Sequence, residues 1–124
     1  IRRQEIRLMH PRLPLKAPSG EGNVYEYRYY KTRIGKAAAF VDAISEAMPA
    51  RERHSQNVCL WHTEAENPNE VSPLWVYDDL AHRTQARANA GADPDWQAFL
   101  GKGGPLLEEM QSMLLLPAPF SPLK

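Results

Sequence analysis

With 124 residues and 43% hydrophobic composition, the chain has apolar material for one core and a short appendage. Fifteen basic residues against fifteen acidic ones leave no formal net charge, which removes the electrostatic footprint of a nucleic-acid or acidic-membrane binder. The lone cysteine, Cys59, excludes an intrachain disulfide framework and suits a reducing compartment, and the longest apolar run falls far short of the roughly 20 residues of a membrane-spanning helix.

Residues 4–9 read as an isolated extended segment with the apolar set Ile6, Leu8 and Met9, which needs a sheet edge to satisfy its backbone. Residues 10–23, HPRLPLKAPSGEGN, are rich in proline and glycine and predict a linker, so the folded domain is expected over 24–124. VYEYRYYKT from Val24 has the composition of a strand, and Gly35 punctuates it before KAAAFVDAISEAM. There Phe40, Val41, Ile44 and Met48 share one helical face, and Pro49 should end or kink the helix, or open a further turn through ARERH. NVCLWHTE and VSPLWVYD predict a hairpin joined by AENPNE. Asp78 or Asp79 can cap LAHRTQARANA, and Asp93 with Pro94 can open the helix of DWQAFL. GKGGP breaks that helix, LLEEM is expected to resume it briefly, and SMLLLPA closes the body as a strand.

This order, strand–helix–strand–strand–helix–strand, is the βαββαβ unit of a ferredoxin-like α+β sandwich. Such a sheet carries helices on one face only, yet VCLW, LWVY and MLLL are apolar on both faces. The second face therefore needs a cover, and a partner sheet is the economical one.

Few constellations carry chemistry. Cys59 and His62 have metal-ligand spacing, but residues three apart on a strand point to opposite faces, and His10, His54 and His82 lack a matching second ligand; no metal site or cofactor is implied. GKGG at 101–104 lacks the glycine and the Ser or Thr of a phosphate loop, Asp78 and Asp79 are explained as a cap, and no catalytic residue emerges. What stands out is a polar and aromatic set: Glu26, Arg28 and Tyr30 on one face of the first strand, with Trp75 and Tyr77 on a face of the third. Between paired sheets, this set forms either an interface or a pocket for a small aromatic or apolar ligand.

Tyr25, Glu26, Arg28 and Tyr30, followed by Gly35, resemble the opening signature of the NIPSNAP domain, and the likeness continues through NEVSPLWVYDDLAHR, DPDWQAF and the terminal PAPFSPLK. The resemblance implies a dimeric α+β barrel of two ferredoxin-like units packed sheet on sheet, as a homodimer or a tandem-domain pseudo-dimer. It also implies roles in mitochondrial quality control or vesicle traffic, other protein partners, and a mitochondrial location, with the cytoplasm as the alternative. The family usually places His before the LW of the third strand; here Pro73 stands there, which predicts a bulge or lapse in pairing. Many members hold two such domains in tandem, and Gln4, Leu8, Pro14, Leu15 and Lys16 align with Gln111, Leu115, Pro122, Leu123 and Lys124. Residues 1–23 are accordingly read as the end of a preceding repeat plus linker, in preference to an organellar transit peptide. The leading expectation is a non-catalytic, oligomerising protein-interaction module. A small-ligand binder or enzyme of the dimeric-barrel monooxygenase kind, and a structural subunit of a mitochondrial assembly, are the alternatives.

Overall fold

Gly35, at φ +76°, turns the chain out of a tyrosine-rich strand in a backbone conformation that other residues adopt only under strain, and its amide is held by the Asn69 side chain at 3.0 Å. A computed structural model describes all 124 residues. Around that turn lie β1 (Leu8–Pro11), β2 (Val24–Thr32), α1 (Ala37–Arg51), β3 (Gln56–Ala65), β4 (Glu70–Tyr77), α2 (Leu80–Ala92), α3 (Pro94–Gly103), a single 3-10 turn (Gly104–Leu106) and β5 (Leu107–Leu115). The strands form one sheet in the order β1-β3-β4-β2-β5, antiparallel throughout. The ferredoxin-like α+β architecture expected from the element order is present, with one strand added at the β3 edge.

The core lies between the sheet and the helices. Phe40, Ile44 and Met48 of α1 pack on Tyr30, Leu60, Val71, Trp75 and Tyr77. Phe40, 1% exposed, is the hub, with ring centroids 5.4 Å from Tyr30 and 5.8 Å from Phe99. Asp79, rather than Asp78, caps α2 by accepting the His82 amide at 2.7 Å. Asp93 caps α3 by accepting the Asp95 amide at 3.0 Å, with Pro94 in the first turn.

Longer-range contacts decide several points that the local sequence left open, and overturn one. The helix α1 runs past Pro49 to Arg51, because Met48 and Arg51 both bury into the core and anchor the last turn. LLEEM is not helical: after the 3-10 turn at Pro105, Leu107 turns extended and pairs with Thr32, Glu109 with Lys31 and Met110 with Tyr30. The long partner strand β2 overrides a local helical preference. Pairing between β2 and β4 runs from Val24↔Tyr77 to Tyr27↔Leu74 and resumes at Tyr30↔Val71, so the ladder lapses opposite Ser72 and Pro73.

The first strand falls at 8–11 rather than 4–9, and the segment read as linker continues along the same edge. The Arg12 amide donates to the Leu60 carbonyl at 2.7 Å, and the Lys16 amide donates to Val58 at 2.9 Å. Proline is tolerated there because the strand is an edge. The two segments that echo each other in sequence thus occupy opposite margins of one sheet: β1 beside β3, and β5 beside β2. The outer face is not left wholly to a partner either. The C-terminal tail folds back on it, with the Asn23 amide donating to the Lys124 carbonyl at 3.1 Å and Leu123 packing on Tyr25, Val58 and Val76.

Candidate functional site

The even positions of β2 place Glu26, Arg28 and Tyr30 on the helix side of the sheet, where Glu26 lies beside Trp75 and Val24 beside Tyr77 of β4. The five sequence candidates therefore come together, but under the helices rather than on the face open to a second sheet. The reason is the phase of β2: Tyr30 meets Phe40 of α1, and α2 supplies arginines for Glu26, while Tyr25, Tyr27 and Tyr29 take the outer face.

Glu26 is the node of this site and is 0% exposed. It accepts Arg83 through Nε at 3.2 Å and Nη2 at 2.8 Å, Arg28 Nη1 at 3.1 Å, the Ser112 hydroxyl, and the Tyr77 hydroxyl at 3.5 Å; Arg87 Nη1 stands 3.8 Å away. Burial by itself would raise its pKa. The hydrogen bonds from Arg83 and Ser112 and the charges of Arg28 and Arg83 outweigh that and bring it down to about 2. Arg28 also donates Nε to the Tyr30 hydroxyl oxygen at 2.9 Å, which fixes both side chains.

Arg51, which the sequence reading passed over, completes the site. It is 3% exposed, donates Nη1 to Ser55 Oγ at 2.7 Å and Nη2 to the Tyr77 oxygen at 3.1 Å, and lies over the Trp75 ring at 4.5 Å and the Trp96 ring at 5.8 Å. Its sequence signal was the spacing Ile44, Met48, Arg51, which extends the apolar face of α1 by one turn. Arg83 and Arg87 had a comparable signal: spaced by four on α2, they flank the side that buries Ala86 and Ala90. Between these groups and α3 lies a cavity of about 210 Å³ lined by Arg28, Arg51, Arg87, Trp75, Trp96 and Phe99 among others. A larger hollow of about 630 Å³ between α1 and α3 opens on solvent and is lined largely by alanines and surface charges.

The remaining candidates are placed apart. Cys59 is buried with Sγ near the carbonyls of Leu13 and Leu60, and burial pushes its thiol pKa up. His62 Nε2 meets the Pro68 carbonyl at 2.8 Å. His10 pairs with Glu64 at 2.6 Å, His54 with Asp93 at 2.8 Å, and the His82 ring stands edge-on to Tyr77. Gly101 to Gly103 finish α3.

A second feature is β5, exposed along almost its whole length at the unpaired margin of the sheet. Met113 and Leu115 point to the outer face with Tyr25 and Tyr27, while Met110 and Leu114 point to the helix side, Met110 at the rim of the Arg51 cavity and both still about half exposed. On the outer face, Leu115, Leu116 and Phe120 join Tyr25, Leu74 and Leu123 around a shallow apolar groove of about 340 Å³.

The sequence profile of the NIPSNAP family matches residues 25–122. The chain is 34% identical over 122 residues to human NipSnap homolog 3B, covering 97% of this chain and 49% of that protein. It is 32% identical over 106 residues to human NipSnap homolog 3A, covering 84% and 43%. It thus spans about half the length of the curated relatives it matches. Among solved structures, a NIPSNAP domain protein from Burkholderia xenovorans aligns with TM-score 0.75 at 32% identity over 80% of this chain and 98% of that one. A nipsnap family protein of unknown function from Agrobacterium tumefaciens aligns at 0.80 with 28% identity over 88% and 100%. A putative antibiotic biosynthesis monooxygenase from Bordetella bronchiseptica aligns at 0.65 with 20% identity over 79% and 99%, a likeness of fold. With that profile spanning β2 to the C-terminal tail and these structures sharing its sheet and helices, the chain belongs to the NIPSNAP family.

Proposed function

We propose that this NIPSNAP module is an oligomerising, protein-interacting unit that pairs with a second NIPSNAP domain, either another copy or a tandem neighbour, through the β5 margin and the outer face of the sheet. One observation carries the reading: β5 is a nine-residue strand with a free edge and apolar side chains in solvent on both of its faces. An exposed edge of that kind is an invitation to pair, and stable proteins normally cover it. The opposite margin supports the same reading, because β3 already accepts β1, a segment whose sequence echoes β5 and its tail. A sheet that receives a β5-like strand at one edge and offers β5 at the other is complementary to a second sheet of its own kind. The setting we infer, from the family resemblance, is mitochondrial quality control or vesicle traffic, with the paired barrel as the platform for other proteins.

The test is amide exchange along β5 at several protein concentrations, in the native chain and in Met113→Glu. The amides on the free edge of β5 should be protected at tens of micromolar and lose protection on dilution, and Met113→Glu should show the diluted pattern throughout. Edge amides that exchange freely at every concentration would overturn pairing through β5.

A further inference from the structure

The charges around the intrachain cavity do not balance. Four guanidiniums, Arg28, Arg51, Arg83 and Arg87, belong to this site against a single carboxylate, Glu26, which three of them engage. Arg51 is the one left over. Its terminal nitrogens donate only to neutral oxygens, those of Ser55 and Tyr77, and it forms no ion pair although it is 3% exposed. A buried guanidinium without a counter-anion is costly, and the Trp75 and Trp96 rings beside it offset only part of that cost. Burial, and to a lesser degree the charge of Arg87, pull its pKa below the ordinary arginine value, so the folded chain holds this cation against a penalty.

The space next to Arg51 is shaped for what would offset that penalty. The cavity is about 210 Å³, which amounts to about seven water volumes and suits a molecule with one ring or a short chain. Trp75, Trp96 and Phe99 wall it, with the Trp96 and Phe99 rings 4.5 Å apart, and no Asp or Glu lines it. Three arginines also line it, but Arg28 and Arg87 are engaged by Glu26, so aromatic walls with Arg51 as the one cation lacking a carboxylate select for a flat apolar body bearing one negative group. The guanidinium fork is the side chain best matched to a planar, two-oxygen anion. We propose that this cavity binds a small aromatic monocarboxylate, with its carboxylate on Arg51 and its ring against the aromatic wall of Trp96 and Phe99. The site lies within one chain, so it goes beyond the pairing proposed above and stands or falls separately from it.

The experiment compares benzoate and phenylacetate with their neutral isostere benzamide and with inorganic phosphate on the native chain, by calorimetry and by tryptophan fluorescence. The carboxylates are expected to bind with a change in tryptophan emission, about tenfold or more tightly than benzamide, because the amide leaves the arginine charge uncompensated. Arg51→Met should bring benzoate down to the benzamide level, and Arg51→Lys should recover part of the difference; circular dichroism reports whether each variant is folded. Because the carboxylate–amide comparison needs no variant, it decides the matter even if Arg51→Met does not fold. Equal binding of benzoate and benzamide would overturn the proposal. So would no binding of either carboxylate at about millimolar concentration, or phosphate binding as tightly as benzoate with no benefit from the ring.

Discussion

Replacing Glu26 by Gln is expected to cost the chain more stability than any other isosteric change in the site. The substitution keeps the shape of the side chain and deletes the one charge that Arg28, Arg83 and Arg87 share. Lowering a fully buried carboxyl from 4.5 to about 2 corresponds to about 3 kcal/mol of stabilisation at neutral pH. This lies at the lower end of the range for breaking a buried ion pair from one side. In urea, at about 1.5 kcal/mol per molar, the midpoint of unfolding should fall by about 2 M. The pH dependence is more specific. A depressed carboxyl stabilises the fold above its unfolded value and loses that contribution as pH falls through 4.5 toward 2. The gap between native chain and Glu26→Gln should therefore be full at pH 7 and close toward pH 2, where native Glu26 is itself about half protonated. Other carboxylates titrate in both proteins and cancel in the difference. A variant within about 0.5 kcal/mol of the native chain at pH 7, or a gap unchanged at pH 3, would refute the role given to Glu26.

Two further expectations concern the frame around the site. A Cβ at Gly103 would stand 2.8 Å from the Phe99 ring and 3.3 Å from Phe40, so Gly103→Ala should lower stability by about 1–3 kcal/mol in thermal or urea unfolding; a neutral result would mean that α3 packs more loosely than described. Deleting residues 1–16 removes the hydrogen bonds that β1, Arg12 and Lys16 make to β3, so the β3 amides facing that edge should exchange faster while those facing β4 keep their protection. Unchanged exchange on both sides would show that the N-terminal segment does not hold this edge.

Much of the architecture was legible because local signals and tertiary contacts agree. The tyrosine-rich β2, the Phe40, Ile44 and Met48 face of α1, and the Asp93–Pro94 start of α3 each carry their own instructions. The sequence is ambiguous or misleading where distant partners decide. Leu107 to Met110 are strand because β2 is long enough to pair them, and α1 passes Pro49 because Arg51 has a buried destination on Trp75 and Tyr77. The grouping of Glu26, Arg28 and Tyr30 was visible from their spacing, but both faces of the sheet are aromatic, so periodicity did not say which one the helices cover. The site also depends on Arg83 and Arg87, whose role is set by how α2 lies across β2 and not by any short motif.

Sedimentation velocity of the 124-residue chain at micromolar concentration bears most directly on the central claim, that the open β5 margin is a pairing surface. The account predicts a species of twice the 14.1 kDa chain mass that shifts toward monomer in Met113→Glu. A monodisperse 14.1 kDa monomer, indifferent to that substitution, would contradict it.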